Sequence, residues 1–233
     1  MANPYFKFKQ FTVWHDRCAM KVGTDGVLLG ATAMHPDPEN ALDIGTGTGL
    51  VALMLAQRFP GLTIDAIEID SQAAEQALEN VLNSPFASQI SITQSALQDF
   101  QPKLPYSLMV CNPPFFKVSS RSNSESRNLA RQTEMLEPAD VFSFARQFLR
   151  PEGLLVMIFP SGTDLTTIAS AYGLFPASQL QVKGHREADA KRTVWTFGRA
   201  VSEVVKTELI LEEYRNQYTP AFRSLVNDFY LYV

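Results

Sequence analysis

Asn112-Pro113-Pro114-Phe115 concentrates more potential chemistry than any other four residues of the chain. Two prolines remove two backbone donors and hold the chain extended, while both carbonyls stay free as acceptors. An amide side chain precedes them and an aromatic ring follows. Together these groups can grip a planar group that carries an NH2. A Pro-Pro pair is also a common way to end a strand, so the motif gains its meaning from what surrounds it.

Upstream lies Asp43-Ile44-Gly45-Thr46-Gly47-Thr48-Gly49-Leu50, between a short apolar strand and a run with helical spacing. Glycines there let the backbone turn sharply and approach a ligand without Cβ clashes. A dinucleotide fingerprint would need a glycine at position 50, which is Leu50, and a phosphate-cradling loop would need a lysine after the last glycine. Neither is present. Glu68 ends the next strand, well placed to accept hydrogen bonds from both hydroxyls of a ribose. The pair resembles motifs I and II of class I S-adenosylmethionine (SAM)-dependent methyltransferases. SAM carries no phosphate, which suits a glycine loop lacking a basic residue. The resemblance implies cofactor contacts at Asp43, Gly45, Gly47, Gly49, Glu68 and Ile69.

Behind such motifs, Asn112-Pro113-Pro114-Phe115 is similar to motif IV, [ND]-P-P-[YFW], of methyltransferases acting on exocyclic or amide nitrogen. An adenine amino nitrogen is a poor nucleophile because its lone pair is delocalised into the ring. If Asn112 Oδ1 and the Pro113 carbonyl accept its two hydrogens, the lone pair is directed towards a sulfonium methyl. Catalysis is then positioning and electrostatics, without a dedicated general base. Phe115 would stack on the flipped base. Asn112, Pro113 and Phe115 are thus the candidate catalytic residues, with Asn112 also at the cofactor.

The elements that must position these groups follow from periodicity. Strands are predicted at 41–44, 63–67, 90–93, 106–111, 154–159, 179–183 and 193–199. Helices are predicted at 50–58, 71–83 with Ser71 as N-cap, 138–149 and 162–172. Strand and helix alternate from residue 41 to about 173, which implies an α/β fold: a doubly wound, mostly parallel, seven-stranded sheet of Rossmann-like type. The last two strands lack an intervening helix and suggest an antiparallel hairpin at the sheet edge. We expect one domain, with an N-terminal extension over 1–36, a SAM-binding core over 37–200, and a closing C-terminal strand and helix over 201–233.

The amino end narrows the resemblance. Lys21-Val22-Gly23-Thr24-Asp25-Gly26-Val27-Leu28-Leu29-Gly30 precedes the first sheet strand, giving motif order X, I, II, IV. With Asn112-Pro113-Pro114-Phe115 and the closing Asn227-Asp228-Phe229-Tyr230-Leu231, the chain resembles the bacterial tRNA1(Val) (adenine-37-N6)-methyltransferases over nearly its whole length. In such enzymes the segment before motif I folds over the methionine end of SAM, which makes Lys21, Thr24 and Asp25 candidate contacts. Where many class I enzymes hold the cofactor adenine with an acid after strand three, this chain has Gln94-Ser95-Ala96-Leu97, so Ala96 stands as a backbone contact. Position 115 is Phe where adenine enzymes more often show Tyr. An NPPF also occurs in ribosomal RNA guanine-N2 methyltransferases, and protein glutamine N5 methyltransferases keep the NPP. Both remain alternatives, as does a non-catalytic RNA-binding module of the same fold.

Composition agrees with a globular protein: 233 residues, 45% hydrophobic and 19% charged. No apolar run reaches the roughly 18 residues of a membrane span. Cys18 and Cys111 fit no metal or redox spacing, and the three histidines are scattered, so no metal is expected and the compartment reads as the cytoplasm. The net charge of −4 divides unevenly. Residues 37–99 hold nine acids against Arg58 alone, while basic residues gather in two segments. Lys117, Arg121, Arg127 and Arg131 form the first; Arg186, Lys191 and Arg192 lie in the second, over 183–199. Such a bipolar layout leaves room for a polyanion, and these seven are the candidate RNA contacts to a tRNA, made by a monomer.

Overall fold

A computed structural model describes residues 3–113 and 136–232. Pro114, Phe115, Lys117, Arg121, Arg127 and Arg131 lie outside the described residues.

Five strands run parallel at the centre: β3 (Asn40–Ile44), β4 (Thr63–Glu68), β5 (Ile90–Gln94), β6 (Tyr106–Cys111) and β7 (Leu149–Pro160). Next to β7 lies the hairpin of β8 (Phe175–Lys183) and β9 (Ala190–Gly198), with β9 antiparallel to both neighbours. A further strand, β10 (Val205–Ile210), pairs parallel with β8. The order is β10-β8-β9-β7-β6-β3-β4-β5, eight strands where periodicity predicted seven. The eighth is β10, in the 201–233 segment where a closing strand was expected but not given bounds or a place in the sheet. Its residues are mostly exposed, so no core-facing alternation marked it.

The strands are buried on both faces, and alternate residues feed two cores. On one face, Leu108 and Val110 of β6 pack with Leu28 of α1 (Thr24–Thr32) and Leu53 of α2 (Leu50–Arg58). On the other, Met109 and Cys111 pack with Phe142 of α4 (Pro138–Phe148) and Ala169 of α5 (Thr166–Ala171). The helix α3 (Ser71–Leu82) lies against β4 and β5. Its N-cap is Asp70 rather than Ser71: the Asp70 carboxylate accepts from Ala73 N–H at 2.8 Å. The helix expected from Gly162 begins only at Thr166. Gly162 has φ +87°, outside helical space, and Asp164 Oδ1 takes up the Thr166 N–H before the first turn closes.

The N-terminal extension forms its own hairpin, β1 (Tyr5–Lys7) with β2 (Thr12–Trp14), and α3 holds it in place. Buried Asn80 accepts from Trp14 N–H at 2.9 Å and donates through Nδ2 to the carbonyls of Trp14 and Thr48, both at 2.9 Å. One side chain thus joins the hairpin, α3 and the glycine loop. The C-terminal part adds the small hairpin β11 (Glu212–Tyr214) and β12 (Gln217–Tyr218), then α6 (Pro220–Val226), capped by Thr219. Phe8 bridges to Tyr230, and Lys9 N–H donates to the Phe229 carbonyl at 2.8 Å, so the two ends of the chain are stitched together. Among the described residues, no helix is long and apolar enough to cross a membrane.

Candidate active site

Strands β3 and β6 are parallel neighbours in register, with Ile44 opposite Cys111. The glycine loop and Asn112-Pro113 therefore leave the sheet side by side at its carboxyl edge. Neighbouring β4 leaves the same edge, carrying Glu68. This is the crevice in which open α/β sheets bind ligands.

All three loop glycines have positive φ: +68° at Gly45, +56° at Gly47 and +81° at Gly49. A Cβ on Gly45 or Gly47 would meet no atom within 4 Å, so the loop's backbone faces open space there. Gly49 differs. A Cβ on it would come within 3.5 Å of Ala77, and the residue starts α2 against the side of α3. Gly45 and Gly47 thus present backbone, whereas Gly49 serves packing.

Two carboxylates set this loop. Asp43 is buried, and its Oδ2 accepts from the Thr46 hydroxyl at 2.6 Å and from Ala52 N–H at 3.1 Å. Burial pushes its pKa up to about 6, against the lowering effect of those two bonds; the nearby Glu68 charge adds to the rise. Asp43 braces the turn from inside. Glu68 works from the open side: Oε2 accepts from Gly47 N–H at 2.8 Å and Oε1 from Asp70 N–H at 3.0 Å. Next to it, the Ile69 side chain is half exposed, an apolar surface at the mouth of the crevice. Ala96 follows β5, where the neighbouring Ser95 N–H donates to the Glu68 carbonyl at 2.9 Å, so Ala96 borders the same crevice.

Asn112 is partly buried, and among the described residues its side chain has no hydrogen-bond partner; Pro113 is buried. An amide with idle donors and acceptors at a strand end is available for a ligand.

The motif X segment reaches the site through close helix packing. Cβ atoms on Gly26 and Gly30 would press on Leu50 at 3.0 Å and Met54 at 2.7 Å, so α1 lies tight on α2 and its first turn sits beside the exit of the glycine loop. Thr24 and Lys21 are exposed there. Asp25 accepts from Arg192 Nε at 2.8 Å, an ion pair between two half-buried side chains. Arg186 and Lys191 are exposed around the β8–β9 turn, at the edge of the sheet where Asn112 lies.

Several contributors carried no recognisable sequence signal. Thr46 closes the glycine turn by donating its hydroxyl to Asp43 and its N–H to the Ile67 carbonyl at 2.9 Å. The segment around Cys18 lies over the Glu68 strand end. Its thiol is pushed up to about 11 by burial and by the charges of Glu68 and Asp70, so it stays protonated at neutral pH. Asn80 and Gln76, four residues apart on α3, hold this segment through Trp14, Asp16 and Arg17. Two buried amides at i and i+4 on a helix face are the one clue sequence offered.

A site with backbone open at Gly45 and Gly47, a carboxylate at Glu68, an apolar surface at Ile69 and no basic residue in its loop fits SAM. Comparison with known proteins agrees. The family model described as "Methyltransferase small domain" matches residues 20–172. A solved predicted O-methyltransferase from Agrobacterium tumefaciens shares the fold, with a TM-score of 0.65 at 20% identity, over 88% of this chain and 96% of that one. Relatives named tRNA1(Val) (adenine(37)-N6)-methyltransferase come from Parabacteroides distasonis, 44% identical over 99% of both chains, and Bacteroides thetaiotaomicron, 42% identical over 100% of both. On that likeness, end to end, the chain belongs to the tRNA1(Val) (adenine(37)-N6)-methyltransferase family.

Proposed function

We propose that this protein transfers the methyl group of SAM to the exocyclic N6 of adenine 37 in tRNA1(Val). The full-length family likeness names the reaction, and the Asn112 amide leaving the sheet beside Gly45 is the observation that carries it to this site. When bound, SAM supplies an electrophilic methyl group on a sulfonium. Gly45 and Gly47 would approach it through backbone, Glu68 would accept from the ribose hydroxyls, and Ile69 and Ala96 would border its adenine. Lys21, Thr24 and Asp25 would hold its methionine end. Asp43 and Gly49 hold the loop in shape from behind.

Asn112 Oδ1 and the Pro113 carbonyl accept the two amino hydrogens of the target adenine. That fixes the base in plane and turns the nitrogen lone pair towards the crevice. Much of the rate then comes from orientation and preorganised acceptors. An anticodon loop suits such a site, since its unpaired bases are extruded at low cost. Arg186 and Lys191 meet the phosphates at the rim. We place the enzyme in the cytoplasm, acting as a monomer and as one domain through residues 1–233.

Mass spectrometry of nucleosides from purified tRNA isoacceptors tests the reading, in cells with and without this protein. N6-methyladenosine should vanish from tRNA1(Val) alone. A loss of methylguanosine from ribosomal RNA, with that tRNA unchanged, would replace the adenine reading.

A further inference from the structure

One strand beyond β7, the same sheet edge carries a second concavity that the methyl transfer leaves unused. One wall is the loop 161–166 after β7. The other is formed by Gln179 and Gln181 of β8 and Thr193 and Trp195 of β9, around a volume of about 290 Å³. Gln179 stands opposite Trp195 and Gln181 opposite Thr193, so all four share one face of the hairpin. Thr193 and Trp195 are each only 5% exposed.

The lining is chemically specific. It offers two amides, several hydroxyls and the Asp164 carboxylate, which its bonds from the Thr166 hydroxyl and N–H hold below the usual carboxylate range. Among the described residues no lysine or arginine lines it, so they offer a phosphate no counter-charge there. Among the described residues, the Trp195 indole N–H is buried without an acceptor to offset its desolvation. These donors and acceptors match the hydrogen-bonding edge of a planar heterocycle, above a floor formed by the buried Trp195 ring, itself stacked on Phe197.

The position is equally restrictive. Cys111, Met157, Trp195 and Gln179 form one row across β6, β7, β9 and β8. Cys111, which precedes Asn112, is therefore two strand spacings from Trp195, roughly 10 Å. The Ser161 N–H donates to the Lys191 carbonyl at 3.1 Å, which joins the cavity wall to the basic rim.

We propose that this cavity receives a second unpaired nucleobase of the substrate RNA, a close neighbour of the one held at Asn112, and reads it by its hydrogen-bonding edge. Single-stranded RNA offers splayed-out bases that are read by hydrogen bonds along their edges. The inference rests on the RNA reading above. It adds a specificity pocket: the backbone crosses the rim at Arg186 and Lys191 while one base enters Asn112 and another enters the Trp195 cavity.

The test is a binding cycle with the full-length protein and the anticodon stem-loop of tRNA1(Val). Each loop nucleotide, the target included, is replaced one at a time by an abasic residue, against wild type, Gln179→Ala/Gln181→Ala and Thr193→Val. At one position near the target, the abasic change should weaken wild-type binding about 10-fold. The glutamine pair should weaken binding of intact RNA to a similar extent and add little on that abasic RNA. Thr193→Val should follow the same pattern. SAM affinity should be unchanged in all. Losses that multiply at every position would overturn the pocket, as would coupling to the target adenine alone. Because the cycle is read in binding, it is independent of turnover; absence of methyl transfer by wild type on intact RNA would strike the proposed reaction instead.

Discussion

Asp25 and Arg192, 167 residues apart in sequence, meet in an ion pair of 2.8 Å that ties the first turn of α1 to the start of β9. Sequence placed these two residues in different roles, one at the cofactor and one at the RNA. Their pairing ties the motif X segment and the basic rim into a single mechanical unit.

Arg192→Ala should therefore lower affinity for SAM as well as for RNA, because Asp25 loses the partner that orients it. Arg186→Ala/Lys191→Ala should weaken RNA binding alone, reducing the salt slope by roughly 0.7–0.9 per lost phosphate contact. Titrations with SAM and with tRNA across a salt series check both. An unchanged slope would make the β8–β9 turn a solvated loop.

Glu68→Ala should weaken SAM binding by about 10- to 150-fold, the equivalent of about 1.5–3 kcal/mol for lost bonds to a charged acceptor. The Gly47 and Asp70 N–H groups also lose their acceptor, so part of the loss comes from a looser loop. Calorimetry showing wild-type affinity would detach Glu68 from the cofactor.

Asn112→Ala should leave SAM and RNA affinities nearly unchanged while single-turnover methyl transfer falls by on the order of 10²-fold, comparable to losing one preorganised transition-state acceptor. Rapid-quench measurements on tRNA decide this. A normal rate would make the Asn-Pro-Pro-Phe segment a strand-ending turn.

Asp43 should leave a mark on stability rather than on binding alone. Its folded pKa of about 6 lies above the ordinary value of 3.8, so the folded protein holds this proton more tightly than the unfolded chain. Relative to Asp43→Asn, wild type should lose stability as pH rises from about 4 to 6, by up to about 3 kcal/mol for the full shift. Urea denaturation of both proteins across that window shows the effect; a gain in stability with rising pH would mean the Thr46 and Ala52 bonds outweigh burial.

What sequence revealed and what it hid divide along physical lines. The placement of Gly45, Gly47, Glu68 and Asn112 at one sheet edge was legible because it depends on local conformation and on strand ends, which short patterns encode. The residue before α3 was off by one, since Asp70 and Ser71 are both competent caps and only the geometry selects one. The place of β10 in the main sheet was hidden because its pairing with β8 is a tertiary choice made by an exposed segment. The Trp195 cavity could not be read at all: its walls come from three segments that only the antiparallel hairpin brings together.

The Asn80 clasp has a consequence for the order in which the molecule is built. It holds the Thr48 carbonyl to the hairpin that contains Trp14, and that hairpin is sewn by Lys9 to Phe229. Contacts this distant in sequence form slowly, because a long loop must close before either end gains anything. On a chain emerging from the ribosome, strands β3 to β5 can pair early, but the surroundings of the glycine loop are complete only after residue 229 has appeared. Full anchoring of the hairpin beside the glycine loop is thus among the last events of folding, and a nascent chain halted before that residue should carry a hairpin held by α3 alone.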